Sequence, residues 1–211
     1  MAREWGLPLL KLEATRLYNK YIGESEKNLE RVLTVAEGMA PVVLWIDEIE
    51  KGFAFSRSGD SDAGLSKRLF GRLLTWLQER KAPVFLVATC NDAGALPPEL
   101  MRKGRFDEVF FVDLPSAQER TDILTIHLAR RKRDPAQFDL KALAGASEGF
   151  SGAELEQAIV AALHAAFSRK ADLSTDLILE EVRSTRPLSV LRREDIEALR
   201  TWAAGRTVPA S

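Results

Sequence analysis

The stretch "PVVLWIDEIEKGF", residues 41 to 53, leaves the fold few options. Val42 to Ile46 are apolar without a break, and the next two residues, Asp47 and Glu48, are carboxylates. An unbroken apolar run of this length reads as a strand buried on both faces, the usual condition of a parallel sheet. Parallel neighbours cannot be joined by a hairpin, so the chain has to supply crossover helices. It does. "LPLLKLE" (7–13), "PVFLVATC" (83–90) and "EVFFVDL" (108–114) are further runs of strand length. Leu29, Val32, Leu33 and Ala36 recur at helical spacing between the first two runs, with Gly38 as a stop signal. Leu65, Leu69, Leu73 and Leu77, widened by Phe70 and Trp76, do the same between the next two. Strands alternating with helices predict a parallel α/β sheet. "SRSGDSDAG" (56–64) reads as a loop.

The pattern changes after Pro115. Ser116 and Glu119 form a capping box that opens a helix to about Lys132, and Ser151 with Glu154 repeat it ahead of Leu155, Ile159, Leu163 and Phe167 on one stripe. Two more helices are expected over 174–184 and 192–204, the latter stopped by Gly205. No comparable strand signal follows 115. The expected organisation is an α/β domain over 1–115 and a helical domain over 116–211.

Composition excludes several classes. The formal net charge of −1 creates no global field for nucleic acid or an anionic membrane. The basic cluster "ARRKRD" (129–134) reads as a complement to a helix dipole. No apolar run approaches the roughly 20 residues of a membrane helix, and the N-terminus lacks a secretion-signal pattern. One cysteine, Cys90, allows no internal disulfide and fits a reducing, cytosolic setting. It reads as a small buried apolar residue. His127 and His164 have no zinc spacing around them.

Asp47 and Glu48 stand where a parallel strand leaves the apolar interior, the edge at which α/β sheets bind ligands. There Asp47 is able to hold a hydrated Mg²⁺, and Glu48 to polarise an attacking water. Taken alone, the pair is also readable as surface carboxylates without chemistry. "VATCND" (87–92) sets Asn91 at the end of the next strand, and "LPPELMRKGRFDEVFF" (96–111) sets Arg102 and Arg105 three residues apart.

In this order the motifs resemble those of the AAA family of ATPases. "VVLWIDE" is similar to its Walker B strand, Asn91 to its first sensor, and "MRKGRFD" to the region carrying paired arginine fingers. "NKYIGESEKNLERV" (19–32) is similar to the first pore loop, with Tyr21, Ile22 and Gly23 as the substrate-gripping residues. "ILTIHL" (123–128) puts His127 where family members contact adenosine, and "GFSGAELEQAI" (149–159) resembles the lid-helix signature, with Gly152 and Ala153 near the nucleotide. A closer likeness is to AAA proteins encoded as hypothetical reading frames of chloroplast genomes and found also in cyanobacteria. It is carried by "GLPLLKLE", "VLWIDEIEK", "TWLQE", "PPELMRKGRFDEVFFVDLP" and "FSGAELEQ". The resemblance implies a three-layer AAA core of P-loop NTPase type followed by an all-α lid. It also implies ATP and Mg²⁺, a homohexameric ring, and a protein or peptide substrate that the ring remodels or translocates. No nucleic-acid or membrane partner is implied. The expected compartment is the cytosol, or the chloroplast stroma for a plastid-encoded chain.

The likeness has a hole in it. The phosphate loop of such enzymes, GxxxxGK[ST], offsets phosphate charge with backbone N–H groups and a lysine at a helix N-terminus. It is absent from these 211 residues, and the likeness starts at "AREWGLPLL", just past the helix that follows that loop in the family. The core is therefore expected without its first strand, with "VFLVAT" and "VFFVDL" on either side of the gap. Three readings stay open: a fragment of a full ATPase, a chain complemented by another polypeptide, or a non-hydrolysing relative kept as an interaction module. Retained Glu48, Asn91, Arg102 and Arg105 argue against the last. By itself the chain is expected to bind nucleotide poorly. An unrelated Mg²⁺-dependent nuclease would need more converging carboxylates than this sequence offers.

Overall fold

The computed structural model describes residues 1–17, 24–53, 61–102 and 104–210. They form two units, Met1–Val109 and Phe110–Ser211, each with its own core.

The first unit opens with the short helix α1 (Ala2–Trp5) and strand β1 (Leu9–Glu13), followed by α2 (Glu24–Gly38), β2 (Val42–Asp47), α3 (Ile49–Phe53), α4 (Ser61–Glu79) and β3 (Val84–Ala88). The strands form a parallel sheet in the order β1-β2-β3, with Leu10 opposite Leu44 and Leu44 opposite Leu86. Strand side chains alternate between faces, so Leu12, Val42, Leu44, Ile46 and Val84 share one face. They pack with Leu29, Leu33 and Ala36 of α2 and Leu69, Leu73 and Leu77 of α4. This is the parallel α/β core and helical face that the sequence predicts. The opposite face holds Leu9, Val43 and Phe85 in register, with Trp5 of α1 edge-on to Phe85 at 4.8 Å. Ser61–Gly64, expected in a loop, belong to α4 instead.

The fourth strand differs from expectation. Of "EVFFVDL" only β4 (Phe110–Phe111) is extended in a ladder, and Phe110 and Val112 are exposed. β4 pairs in parallel with β5 (Val208–Pro209), a short strand that departs from the expectation of none after residue 115. An apolar run records a tendency toward burial, but its pairing partner is a tertiary choice. Among the described strands, β3 is left paired with β2 alone.

The second unit continues with α5 (Ala117–Arg130), α6 (Leu140–Ala146), α7 (Gly152–Ser168), α8 (Thr175–Ser184), α9 (Leu188–Leu191) and α10 (Arg193–Ala203). Both predicted capping boxes are present: the Ser116 and Ser151 hydroxyls accept the N–H of Glu119 and Glu154, whose carboxylates return the bond. Leu124, Leu128, Leu143, Leu155, Ile159 and Ile178 form its core. Phe167, expected on the buried stripe, is 86% exposed, because the buried face of α7 runs through Ala158, Ala162 and Ala166. Small residues at those positions let neighbouring helices approach closely. No described helix is long and apolar enough to cross a membrane.

Candidate functional site

The site in the first unit begins at the C-terminal edge of β2, where the chain turns sharply into α3. Asp47 is the last strand residue and Glu48 the turn residue, at φ 50°. A non-glycine residue in that left-handed region costs about 1–3 kcal/mol, and such strain gathers where a side chain must point in a set direction.

Both carboxylates are engaged. Asp47 Oδ1 accepts the Thr89 hydroxyl at 2.6 Å, and Oδ2 lies 3.0 Å from Lys11 Nζ, which also sits 4.4 Å above the Trp45 ring. The Thr89 hydrogen bond and then the Lys11 ammonium hold the Asp47 carboxyl below its ordinary range. Glu48 Oε1 accepts Lys51 Nζ at 2.6 Å and Asn91 Nδ2 at 3.2 Å. The hydrogen bond to Glu48 raises the Lys51 ammonium. Glu50, buried on α3, accepts the Asn91 N–H at 3.1 Å. Asp47, Glu48 and Asn91 thus stand side by side on two adjacent strand ends.

Cys90, between Thr89 and Asn91, is exposed where burial was expected. It lies past the end of β3, in a loop at the edge of the sheet and outside its packed face. Its thiol is nevertheless pushed up to about 12, by the protein atoms around the sulfur and then by the charge of Glu50. A thiol held in its protonated form is a weak nucleophile.

The described residues contain no group of three His, Cys, Asp or Glu able to cage a metal. Mg²⁺ asks for less: one or two carboxylates, several waters and the substrate's own phosphates. Asp47, with a third of its side chain exposed, fits that role, with Lys11 as the cation it meets within the chain.

The arginines follow a short 3₁₀ turn, Pro98–Met101. The Arg102 N–H bonds the Glu99 carbonyl, while its exposed side chain has no partner among the described residues. Gly104, at φ 87°, turns the chain back, and the Arg105 Nη1 donates to that same Glu99 carbonyl. Tyr21, Ile22 and Gly23 lie outside the described residues.

In the second unit His127 faces α7, with Nδ1 3.3 Å from Glu156 Oε1, an oxygen that also accepts Arg131 Nη2 at 2.8 Å. Gly152 opens α7 and lines a cleft of about 370 Å³ with Val112, Asp113, Ile123 and Ile126. Ala153 is exposed in the first turn of α7.

The sequence singles out Asp47, Glu48 and Asn91 as candidates; Lys11, Thr89, Glu50 and Lys51, which contact them, do not stand out in it. Lys11 carried a weak signal as the one cation inside an apolar run. Thr89 read as an ordinary strand-end residue. Their importance depends on register, Lys11 opposite Trp45 and Ala88 opposite Ile46, which is a tertiary property.

Comparison with known proteins agrees with this architecture. Residues 1–114 match the family model described as "ATPase family associated with various cellular activities (AAA)", and residues 137–181 match the AAA+ lid domain. The chain is 45% identical to the "Uncharacterized AAA domain-containing protein ycf46" of Pyropia yezoensis, over 100% of this chain and 43% of that protein. The protein of the same name from Guillardia theta is 45% identical over 97% of this chain and 40% of its own length. The proteasome-activating nucleotidase of Aeropyrum pernix is 34% identical over 80% of this chain and 42% of its own. The chain spans about two fifths of the length of these relatives. With its parallel core and helical second unit each matched by a model, the chain belongs to the AAA family of ATPases.

Proposed function

We propose that this chain supplies the water-activating part of an ATP-hydrolysing site in a ring-forming AAA motor. The observation that carries the reading is the contact of Glu48 Oε1 with Asn91 Nδ2, 3.2 Å, beside Asp47 at the ligand-binding edge of the sheet. In this reading Glu48 takes a proton from the attacking water, and the Asn91 amide keeps carboxylate and water aligned. Asp47 would hold a hydrated Mg²⁺ ion, which would supply positive charge to offset the phosphates. Arg102 and Arg105 complete the site of a neighbouring protomer in a homohexamer, where charge develops on the transferred phosphoryl group. His127, Gly152 and Ala153 bound the adenosine side. Tyr21, Ile22 and Gly23 grip a protein or peptide substrate that the ring remodels. The core domain runs over 1–115 and the lid over 116–211.

A second reading, a non-hydrolysing interaction module, draws on the ion pairs Lys11–Asp47 and Lys51–Glu48, which satisfy both acids within the chain. One comparison separates the two. In the intact protein, Glu48→Gln is expected to lower phosphate release by roughly a hundredfold or more while ATP binding persists. Wild-type protein with no Mg²⁺-dependent hydrolysis favours the module, and a Glu48→Gln variant as fast as wild type removes Glu48 from the chemistry. Titration of the 211-residue chain with ATP is expected to show weak binding; sub-micromolar affinity contradicts that expectation.

A further inference from the structure

Thr89 lies one residue past β3, yet it bonds to four consecutive residues of the neighbouring segment. Its N–H donates to the Ile46 carbonyl at 3.0 Å and its carbonyl accepts the Ile49 N–H at 2.9 Å. Between them its hydroxyl donates to Asp47 Oδ1 at 2.6 Å and accepts the Glu48 N–H at 3.0 Å. The outer two bonds use backbone that any residue here supplies. The inner two need a hydroxyl, and they fall on the two carboxylate residues.

A hydroxyl has one proton and free lone pairs, so it donates to Asp47 and accepts from Glu48 at once. A β-branched side chain is stiff at χ1, which keeps that hydroxyl aimed. The bond to the Glu48 N–H acts on the residue held at φ 50°, the conformation a non-glycine residue leaves most readily when its supports go. Asn91, two residues on, reaches Glu48 Oε1 from the same segment, so Thr89 sets the spacing between the acid pair and the amide.

The geometry points to Thr89 as a positioning residue for ATP hydrolysis: its hydroxyl fixes the direction of Asp47 and the backbone of Glu48, and thereby where Glu48 meets Asn91. This rests on the function proposed above. Thr89 acts through its neighbours.

The test compares Thr89→Val, Thr89→Ser and Glu48→Gln in the intact protein, by steady-state ATP hydrolysis and by hydrogen exchange of the Glu48 amide. Valine keeps the shape and loses both bonds; serine keeps the hydroxyl. Thr89→Val is expected to lower kcat about tenfold, the factor given by about 1.4 kcal/mol of lost transition-state stabilisation. Its KM for ATP stays within about twofold, because no substrate contact is removed. Thr89→Ser stays near wild type, and the Glu48 amide exchanges faster in the valine variant alone. Equal losses in both variants, a loss confined to KM, or unchanged kcat or exchange in Thr89→Val overturns the inference. Should Thr89→Val fail to fold, Thr89→Ala replaces it under the same criteria. If Glu48→Gln loses hydrolysis and Thr89→Val keeps the wild-type kcat, only this inference falls; if Glu48→Gln hydrolyses at the wild-type rate, the proposed function falls and takes the inference with it.

Discussion

Arg102 and Arg105 read as equivalent in the sequence, and the folded chain treats them differently. Arg105 is tied to the Glu99 carbonyl of its own turn, whereas the Arg102 guanidinium is exposed and has no partner among the described residues. A side chain already spent on its own loop stabilises that loop and is less available to a neighbour. Arg102→Ala is therefore expected to cost the intact assembly about 10³-fold in hydrolysis, the lower end for a transition-state arginine. Arg105→Ala is expected to cost less in rate and more in thermal stability. Parallel measurements of kcat and unfolding temperature check this, and equal kcat losses with equal unfolding temperatures contradict it. At the same scale, the carboxylates Asp47 and Glu48, proposed above to manage metal and water, were legible from their place at the end of an apolar run. Lys11 and Thr89, which meet Asp47 from distant parts of the chain, were not, because a lysine or threonine in a list of residues carries no record of which carboxylate it will meet.

Among the elements, helix starts were the most legible features. A capping box is a local contract between residues three apart, so Ser116 with Glu119 and Ser151 with Glu154 could be read without knowing the fold. Ser151→Ala is expected to cost about 1 kcal/mol, seen as a lower denaturant midpoint at unchanged slope. The same cap has a pH signature. Burial alone would raise the Glu154 carboxyl, but the N–H groups of Ser151 and Leu188 and the Ser151 hydroxyl outweigh it and hold the group below its ordinary value of 4.5. The stability this contributes is present above that value and is lost as pH falls through the lower folded one. Acid titration of unfolding is expected to show that loss in wild type and less of it in Glu154→Gln. Strand extent was less legible. β4 shrank to two residues and paired with β5, and the buried side of α7 turned onto its alanines, leaving Phe167 in solvent. Hydrophobicity gives a period and a tendency; which neighbour covers which face depends on elements far away in sequence.

Across the whole molecule, the two cores have no buried residue in common. Leu44 is fully buried in the first and Ile159 in the second. Truncating either to alanine is expected to cost about 2–5 kcal/mol, through lost burial and the cavity left behind. Hydrogen exchange resolved by residue should show the loss in the unit that carries the substitution, with the amides of the other unit protected as before. Acceleration of equal size in both units would show them unfolding as one. By itself the sequence determined the class of fold, the family, the helix starts and the acid pair at the strand end, because each rests on periodicity, local capping or a short motif. Tertiary structure alone decided the strand that β4 would join, the face of α7 that would be buried and the partners that would hold Asp47 and Glu48. Thr89 meets Asp47 across 42 positions and β4 joins a strand about 100 positions on, and no local pattern encodes the distance across which a hydrogen bond will close.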